Sequence, residues 1–185
     1  MQNDKHICDE ELLHRIKRDD PHALRMLFER HFSALCHFSF KFVKTSNLAE
    51  EAVSDVFLNI WLNRKKIEIK ANLKVYLFTA VRNQSINYLK QQKMSFEDIG
   101  IAEKENKISD LHADRLVVYK ELQDDIDALI QKMPNKRQII FRLNRIDGLS
   151  YKEIAEILGI TETNVATKIS RIKNKLKQKI LNFNN

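Results

Sequence analysis

The stretch GLSYKEIAEILGITETNVATKISRIKNKLKQK, residues 148–179, decides how the rest of the chain is read. Ser150 and Glu153 stand at the S-x-x-E spacing, where a hydroxyl and a carboxylate each satisfy a backbone NH at a helix start. Ile154, Ala155 and Leu158 give that helix an apolar face, and Gly159 is free to take the left-handed conformation that ends it. Thr161 caps a second helix, in which Val165, Ile169, Ile172 and Leu176 recur at steps of four, three and four. Two short helices joined by a glycine turn form a helix-turn-helix, whose second helix can enter the major groove of DNA.

The opposite side of that second helix supports this use. It carries Asn164, Thr167, Lys168 and Arg171, and small Ala155 near the turn lets the two helices approach closely. From 161 to 185 the sole acid is Glu162, against Lys168, Arg171, Lys173, Lys175, Lys177 and Lys179. A solvated helical hairpin would need no such one-sided charge.

The chain has 185 residues, room for one large or two small domains. Three Gly and two Pro leave little turn chemistry for a sheet, while Leu, Ile, Lys, Glu and Ala recur at helical spacing, so an all-α fold is expected. The net charge of +7 is unevenly placed: −2 over residues 1–20, +7 over 21–93, −3 over 94–118 and +5 over 119–185. Two basic blocks flank an acidic joint. Such blocks suit a polyanion touching both, because phosphate neutralisation releases counterions. No lipidation signal or apolar span points to a membrane, and the charged start MQNDKHICDEELLHRIK is unlike a signal peptide, so a cytoplasmic protein is expected. Cys8 and Cys36 read as plain thiols, and His31, Cys36 and His37 lack the second ligand pair that zinc requires. No metal or cofactor is implied.

Taken in order, residues 1–19 form an N-terminal segment with no assigned element. Asp20-Pro21 starts a long helix to about Val43, with Leu24, Phe28, His31, Leu35, Phe38 and Phe42 as its apolar stripe. Asn47 and Glu50 repeat the capping-box spacing before a second stripe of Ala49, Ala52, Val53, Val56, Phe57, Ile60 and Trp61, with Glu50, Glu51, Ser54, Asp55 and Asn59 facing elsewhere as an acidic ridge. RKKIEIKA (64–71) is a basic loop. Asn72 caps a third helix whose buried side is Leu73, Tyr76, Leu77, Ala80, Val81 and, at its far end, Tyr88, leaving Arg82, Asn83, Asn87 and Lys90 to a ligand. Residues 20–93 thus form one helical domain and the acidic stretch 94–115 a linker. Residues 116–185 form a second domain: a helix marked by Leu116, Tyr119, Leu122, Ile126, Leu129 and Ile130, another from Pro134 to Ile146, and the helix-turn-helix.

Three blocks carry a family resemblance. AEEAVSDVFLNIW (49–61) resembles region 2.2 of the bacterial sigma-70 family, LKVYLFTAVRNQSINYLKQQK (73–93) its regions 2.3 and 2.4, and MPNKRQIIFRLNRIDGLSYKEIAEILGITETNVATKISRIKNKLK (133–177) its region 4. Their order and spacing are those of the compact extracytoplasmic-function (ECF) group. The resemblance implies a dissociable sigma factor that binds core RNA polymerase and directs promoter recognition, melting and initiation, with no catalysis of its own. It implies that Glu51, Asp55 and Asn59 dock on a coiled coil of the largest core subunit, although Ser54 and Asp55 stand where relatives often have Gln and Glu.

For the −10 element the resemblance implicates Tyr76, Arg82, Asn83, Asn87 and Lys90. Tyr76 has two open roles, strand separation by stacking or simple burial. Asn83 matches an Asn that holds an extruded base, whose exposure costs a few kcal/mol that aromatic stacking and polar contacts can offset. The loop with Arg64, Lys65 and Lys66 reads bases or merely attracts phosphate. For the −35 element, Glu162, Thr163, Asn164 and Thr167 lie near base edges and Lys168 and Arg171 on phosphates. Thr163, Asn164, Val165 and Ala166 replace a frequent Gly-Thr-Val-Lys, removing one expected base. The acidic linker serves as a tether, or by resemblance runs through the RNA exit path. An anti-sigma factor is the usual regulator of the group.

Two other classes stand against this reading. A two-domain transcription factor would hold duplex DNA without polymerase. A nuclease would need clustered acids or a nucleophile paired with a base, and the sequence has neither arrangement.

Overall fold

A computed structural model describes residues 7–69, 72–96, 128 and 130–183. The described residues hold seven helices and no strand: α1 (Asp9–Lys17), α2 (Pro21–Val43), α3 (Ser46–Leu62), α4 (Leu73–Phe96), α5 (Asn135–Arg145), α6 (Tyr151–Leu158) and α7 (Glu162–Phe183). The chain forms two compact units, Met1–Asn106 and Lys107–Asn185.

In the first unit α2, α3 and α4 each pack on the other two, and α1 lies against α2 and α4. Asp20 Oδ1 accepts from the His22 and Ala23 amides (2.9 and 3.2 Å), so the Asp-Pro start of α2 forms as the sequence indicates. The buried side of α2 is Ala23, Leu27, His31, Leu35, Phe38, Ser39 and Val43. Leu24, Phe28 and Phe42, which the sequence places on that stripe, are only half-buried, Leu24 and Phe28 because they line a surface hollow beside Phe57 and Trp61. Lys44 then takes a left-handed conformation (φ 66°) and reverses the chain. This brings α3 in earlier than the Asn47–Glu50 capping box requires: Thr45 occupies the cap position, without a side-chain bond, and Asn47 lies inside the helix. The α3 stripe is otherwise buried as expected, with Trp61 half-buried at its edge.

Asn72 caps α4 by accepting from the Lys74 amide at 2.8 Å. The helix runs through Phe96, three residues into the stretch read as linker. It is buried on two sides, with Leu73, Leu77 and Val81 joined by Val75, Phe78 and Ser85. Phe78 meets Phe38 edge-on at 5.1 Å. Ser39 and Ser85 pair at 2.7 Å, and Ser85 also donates to the Val81 carbonyl. Two small, mutually satisfied hydroxyls let α2 and α4 approach without an orphaned polar group.

No element was assigned before Asp20 from the sequence, yet Leu12 and Ile16 of α1 are fully buried. Asp9 secures this helix to α2, accepting from Arg30 Nη1 at 2.6 Å and meeting His31 Nε2 at 2.7 Å. Burial opposes the Asp9 charge, but the hydrogen bonds from His31 and Arg30 outweigh it and hold the carboxyl below its ordinary range.

In the second unit α5, α6 and α7 pack on one another around Ile140, Leu143, Ile154, Ile157, Val165, Ile169 and Ile172. Ile157, rather than Leu158, completes the buried side of α6. The Ser150–Glu153 capping box is formed, Gly159 ends α6 in the left-handed region (φ 64°), and Thr161 Oγ1 accepts from the Asn164 amide at 3.2 Å. The helix read over Leu116–Ile130 lies almost wholly outside the described residues, as does most of the linker.

Candidate nucleic-acid interface

On α7 the packing of Val165, Ile169 and Ile172 inward turns Glu162, Thr163, Asn164, Thr167 and Arg171 outward, all exposed, with Lys168 half-buried beside them. Five of these six line one cleft of about 400 Å³, together with Thr161; Glu162 stands outside it. Thr167 Oγ1 donates to the Thr163 carbonyl at 2.9 Å, so its proton is committed to the helix and its lone pairs face out. A third cation, Arg137 of α5, also lines the cleft. Arg137 escaped the sequence reading: NKRQ marks a helix start, but nothing local says which way its first turn points.

On α4 the structure brings Tyr76, Asn83, Asn87 and Lys90 onto one face, at steps of seven, four and three. Asn83, Asn87 and Lys90 are exposed, and Tyr76 is half-buried, its phenol pushed up by burial. Tyr76 therefore lies at the rim of the core, with part of its ring open to solvent. Arg82 projects to one side and reaches back to Asn83 Oδ1 at 3.3 Å.

The basic loop is less free than its composition suggests. Arg64 Nε donates to Asp19 Oδ1 at 2.5 Å and its Nη1 to the Trp61 carbonyl at 2.6 Å, while its guanidinium stacks 4.2 Å from the Trp61 ring. Lys65 reaches Asp19 Oδ2 at 3.0 Å. Lys66 is exposed, and no ion pair engages it among the described residues.

Along α3, Glu51 and Asn59 are exposed and Asp55 is half-buried. Asp55 Oδ2 accepts from both Gln84 Nε2 (2.9 Å) and Tyr88 OH (2.6 Å) of α4. Burial and the Asp55 carboxylate push the Tyr88 phenol up to about 12. Asn59 is held by Asn63. Beside Asn59 the same helix exposes Leu58 and Leu62, 55% and 67% accessible, two large apolar side chains that sequence reading passed over. Leu58 borders a shallow hollow of about 240 Å³ walled by Leu24, Phe28, Phe57 and Trp61.

Among the described residues no cluster of His, Cys, Asp or Glu could hold a metal ion, and no helix is long and apolar enough to cross a membrane. His31 is committed to Asp9, and His37 Nδ1 to the Ser33 carbonyl at 2.8 Å.

A helix-turn-helix with a cationic cleft, and a separate helical unit with a half-buried tyrosine in line with exposed amides, are the features of a DNA-reading protein. Residues 27–94 match the model of sigma-70 region 2, and residues 123–176 that of sigma-70 region 4. The chain belongs to the sigma-70 family of RNA polymerase sigma factors, in its ECF group, and acts in promoter recognition and transcription initiation.

Its relatives include the ECF RNA polymerase sigma factor SigW of Bacillus subtilis (strain 168), 24% identical over 174 residues, 90% of this chain and 93% of that one. The ECF RNA polymerase sigma-E factor of Escherichia coli (strain K12) is 22% identical over 184 residues, covering 94% and 95% of the two chains. Among solved structures, the fold is similar to the sigma factor RpoE in complex with the anti-sigma factor NepR from Bartonella quintana (TM-score 0.62, 21% identity, 83% of this chain and 94% of that one). It is also similar to CnrH in complex with the cytosolic domain of CnrY (TM-score 0.57, 17% identity, 93% and 96% covered).

Proposed function

We propose that α7 reads the −35 element and α4 the −10 element while α3 docks on core RNA polymerase, the whole acting in the cytoplasm. Residues 20–93 and 116–185 are the two working domains, and 94–115 joins them. Thr163 and Asn164 take base edges with Glu162 and Thr167 alongside, and Lys168 and Arg171 hold phosphates. Tyr76 stacks at the point of strand opening, and Asn83, Asn87, Lys90 and Arg82 follow the freed strand.

The observation that carries this reading is the face of α4. A protein that only grips duplex DNA through a helix-turn-helix needs no second unit presenting an aromatic ring in line with two amides and an ammonium. Glu51, Asp55 and Asn59 mark the core-facing side of α3, where Leu58 and Leu62 supply the apolar contact that exposed polar groups alone would not. An anti-sigma factor is the expected regulator, since two similar solved sigma factors are held in complexes with NepR and CnrY.

The full chain mixed with core polymerase and a supercoiled promoter template tests the reading. A stable complex with core, and promoter opening that requires both components, is expected. Specific duplex binding that is indifferent to core would identify a free-standing transcription factor instead.

A further inference from the structure

We propose that Arg137, from the helix before the helix-turn-helix, holds a DNA backbone phosphate and so fixes the depth at which α7 sits in the groove. The inference rests on the reading of α7 as the −35 helix. Arg137 shares one cleft of about 400 Å³ with Lys168 and Arg171, so three cations from two helices converge on it. Among the described residues none of the three has an acidic partner, and the one acid of this part of α7, Glu162, lies outside the cleft. Convergent, uncompensated cations repel one another. They are retained at low cost only where an anion joins them.

The other groups of the cleft narrow the choice of anion. Thr167 Oγ1 donates to the Thr163 carbonyl, so its hydroxyl is engaged within the helix and not offered to an incoming oxygen. Thr161 Oγ1 accepts from the Asn164 amide at 3.2 Å, which leaves its proton as a neutral donor. The charged donors at this site are the two guanidiniums and the ammonium, which bind phosphate oxygens more strongly than neutral hydroxyls do, bidentately for arginine. Thr163 and Asn164, exposed on the first turn of α7, are left for base edges. Arg137 is half-buried and belongs to α5, so it contacts the duplex from a second direction. A phosphate gripped between α5 and α7 constrains the tilt of the reading helix, which a row of cations on α7 alone would not.

The test compares Arg137→Ala, Arg137→Lys and Arg171→Ala as full chains in holoenzyme, binding promoter fragments over a range of salt. Arg137→Ala is expected to weaken binding several-fold at low salt and reduce the slope of log K against log salt by about 0.9, equally for fragments differing in their −35 sequence. Arg137→Lys restores the slope because the charge returns. Thermal unfolding of each variant should match that of the parent, which separates loss of a contact from loss of the fold. An unchanged slope for Arg137→Ala beside a reduced one for Arg171→Ala overturns the assignment of Arg137 and leaves the −35 reading intact. A sequence-dependent loss in Arg137→Ala overturns the phosphate role in favour of base contact. Unchanged binding in both alanine variants overturns the −35 reading together with the proposal.

Discussion

The Tyr88 hydroxyl donates to Asp55 Oδ2 at 2.6 Å, with Gln84 Nε2 on the same oxygen at 2.9 Å. One carboxylate therefore ties α3, the proposed core-docking helix, to α4, the proposed −10 helix. Asp55 has two roles to separate, since its second oxygen is not engaged by α4. Tyr88→Phe removes one bond and leaves the carboxylate charged. A hydrogen bond to a charged group contributes about 1–2 kcal/mol at a half-exposed site. Urea unfolding should register that loss while affinity for core polymerase is kept. Affinity falling as steeply as it does in Asp55→Ala would mean that the tie, and not the free oxygen, is what core senses.

The same pair sets a limit at high pH. The folded phenol titrates at about 12 against an ordinary value of 10.0, raised by burial and by Asp55. Because the folded value lies above the unfolded one, this contribution to stability is complete below pH 10 and is lost as pH rises through about 12. Tyrosinate absorbance should lose, in Tyr88→Phe, the phenol that titrates at about 12 in the parent, while the phenol of Tyr76, also raised by burial, is kept. Identical titrations for the two proteins would remove Tyr88 as the source.

Acid tests the other end of the first unit. Asp9 is held below its ordinary carboxyl value of 3.8 by His31 and Arg30 against the opposing effect of burial. A depressed folded value means that the stabilisation is complete above the ordinary value and is lost as pH falls through the folded one. Asp9→Asn should lower stability near neutrality by about 1–2 kcal/mol and flatten the acid limb below about pH 4. An acid limb as steep as the parent's would show that other carboxylates govern it.

Local chemistry made part of this molecule legible. Ser150, Glu153, Gly159 and Thr161 act within one turn of themselves, so the helix-turn-helix could be written down residue by residue. Asp20 and Asn72 were legible for the same reason. Features set by distant partners were not. Asp55 and Tyr88 are 33 residues apart in sequence, and nothing in either neighbourhood announces the other. Phe78 and Ser85 were missed because α4 is buried on two sides, which blurs the single apolar stripe that periodicity detects. The nine residues of α1 offer Leu12, Leu13 and Ile16 amid charges, too short a run to distinguish from a solvated tail. The Asn47 cap failed because Lys44 reverses the chain, a conformation lysine rarely adopts.

At the promoter, Asn83→Ala is expected to leave core binding and duplex binding unchanged and to slow strand opening, because an exposed amide on α4 has nothing to hold until a base leaves the stack. Permanganate reactivity of unpaired thymines at the −10 element measures it. Full opening at the parent rate on a closed, supercoiled template would remove Asn83 from the site, and rescue on a premelted template would confirm that the defect lies in opening.

Asp19 supplies the sharpest test of the basic loop. It sits in the left-handed region (φ 67°) and pairs with Arg64 and Lys65 at 2.5 and 3.0 Å, so two of the loop's three leading cations are neutralised within the protein. Asn tolerates that backbone conformation and removes the charge, whereas Ala would add strain and confuse the outcome. In Asp19→Asn, Lys65 is freed for phosphate, while Arg64 stays over Trp61, held by the ring and the Trp61 carbonyl. One added phosphate contact steepens the salt slope by about 0.9. Affinity for duplex of arbitrary sequence should therefore rise several-fold at low salt and converge with the parent's at high salt. Strand opening should be unaltered if the loop only attracts phosphate, and altered in a sequence-dependent way if it reads bases. A salt slope identical to the parent's would show that Lys65 does not face the duplex, and that Asp19 serves only to lock the end of α3 against the turn between α1 and α2.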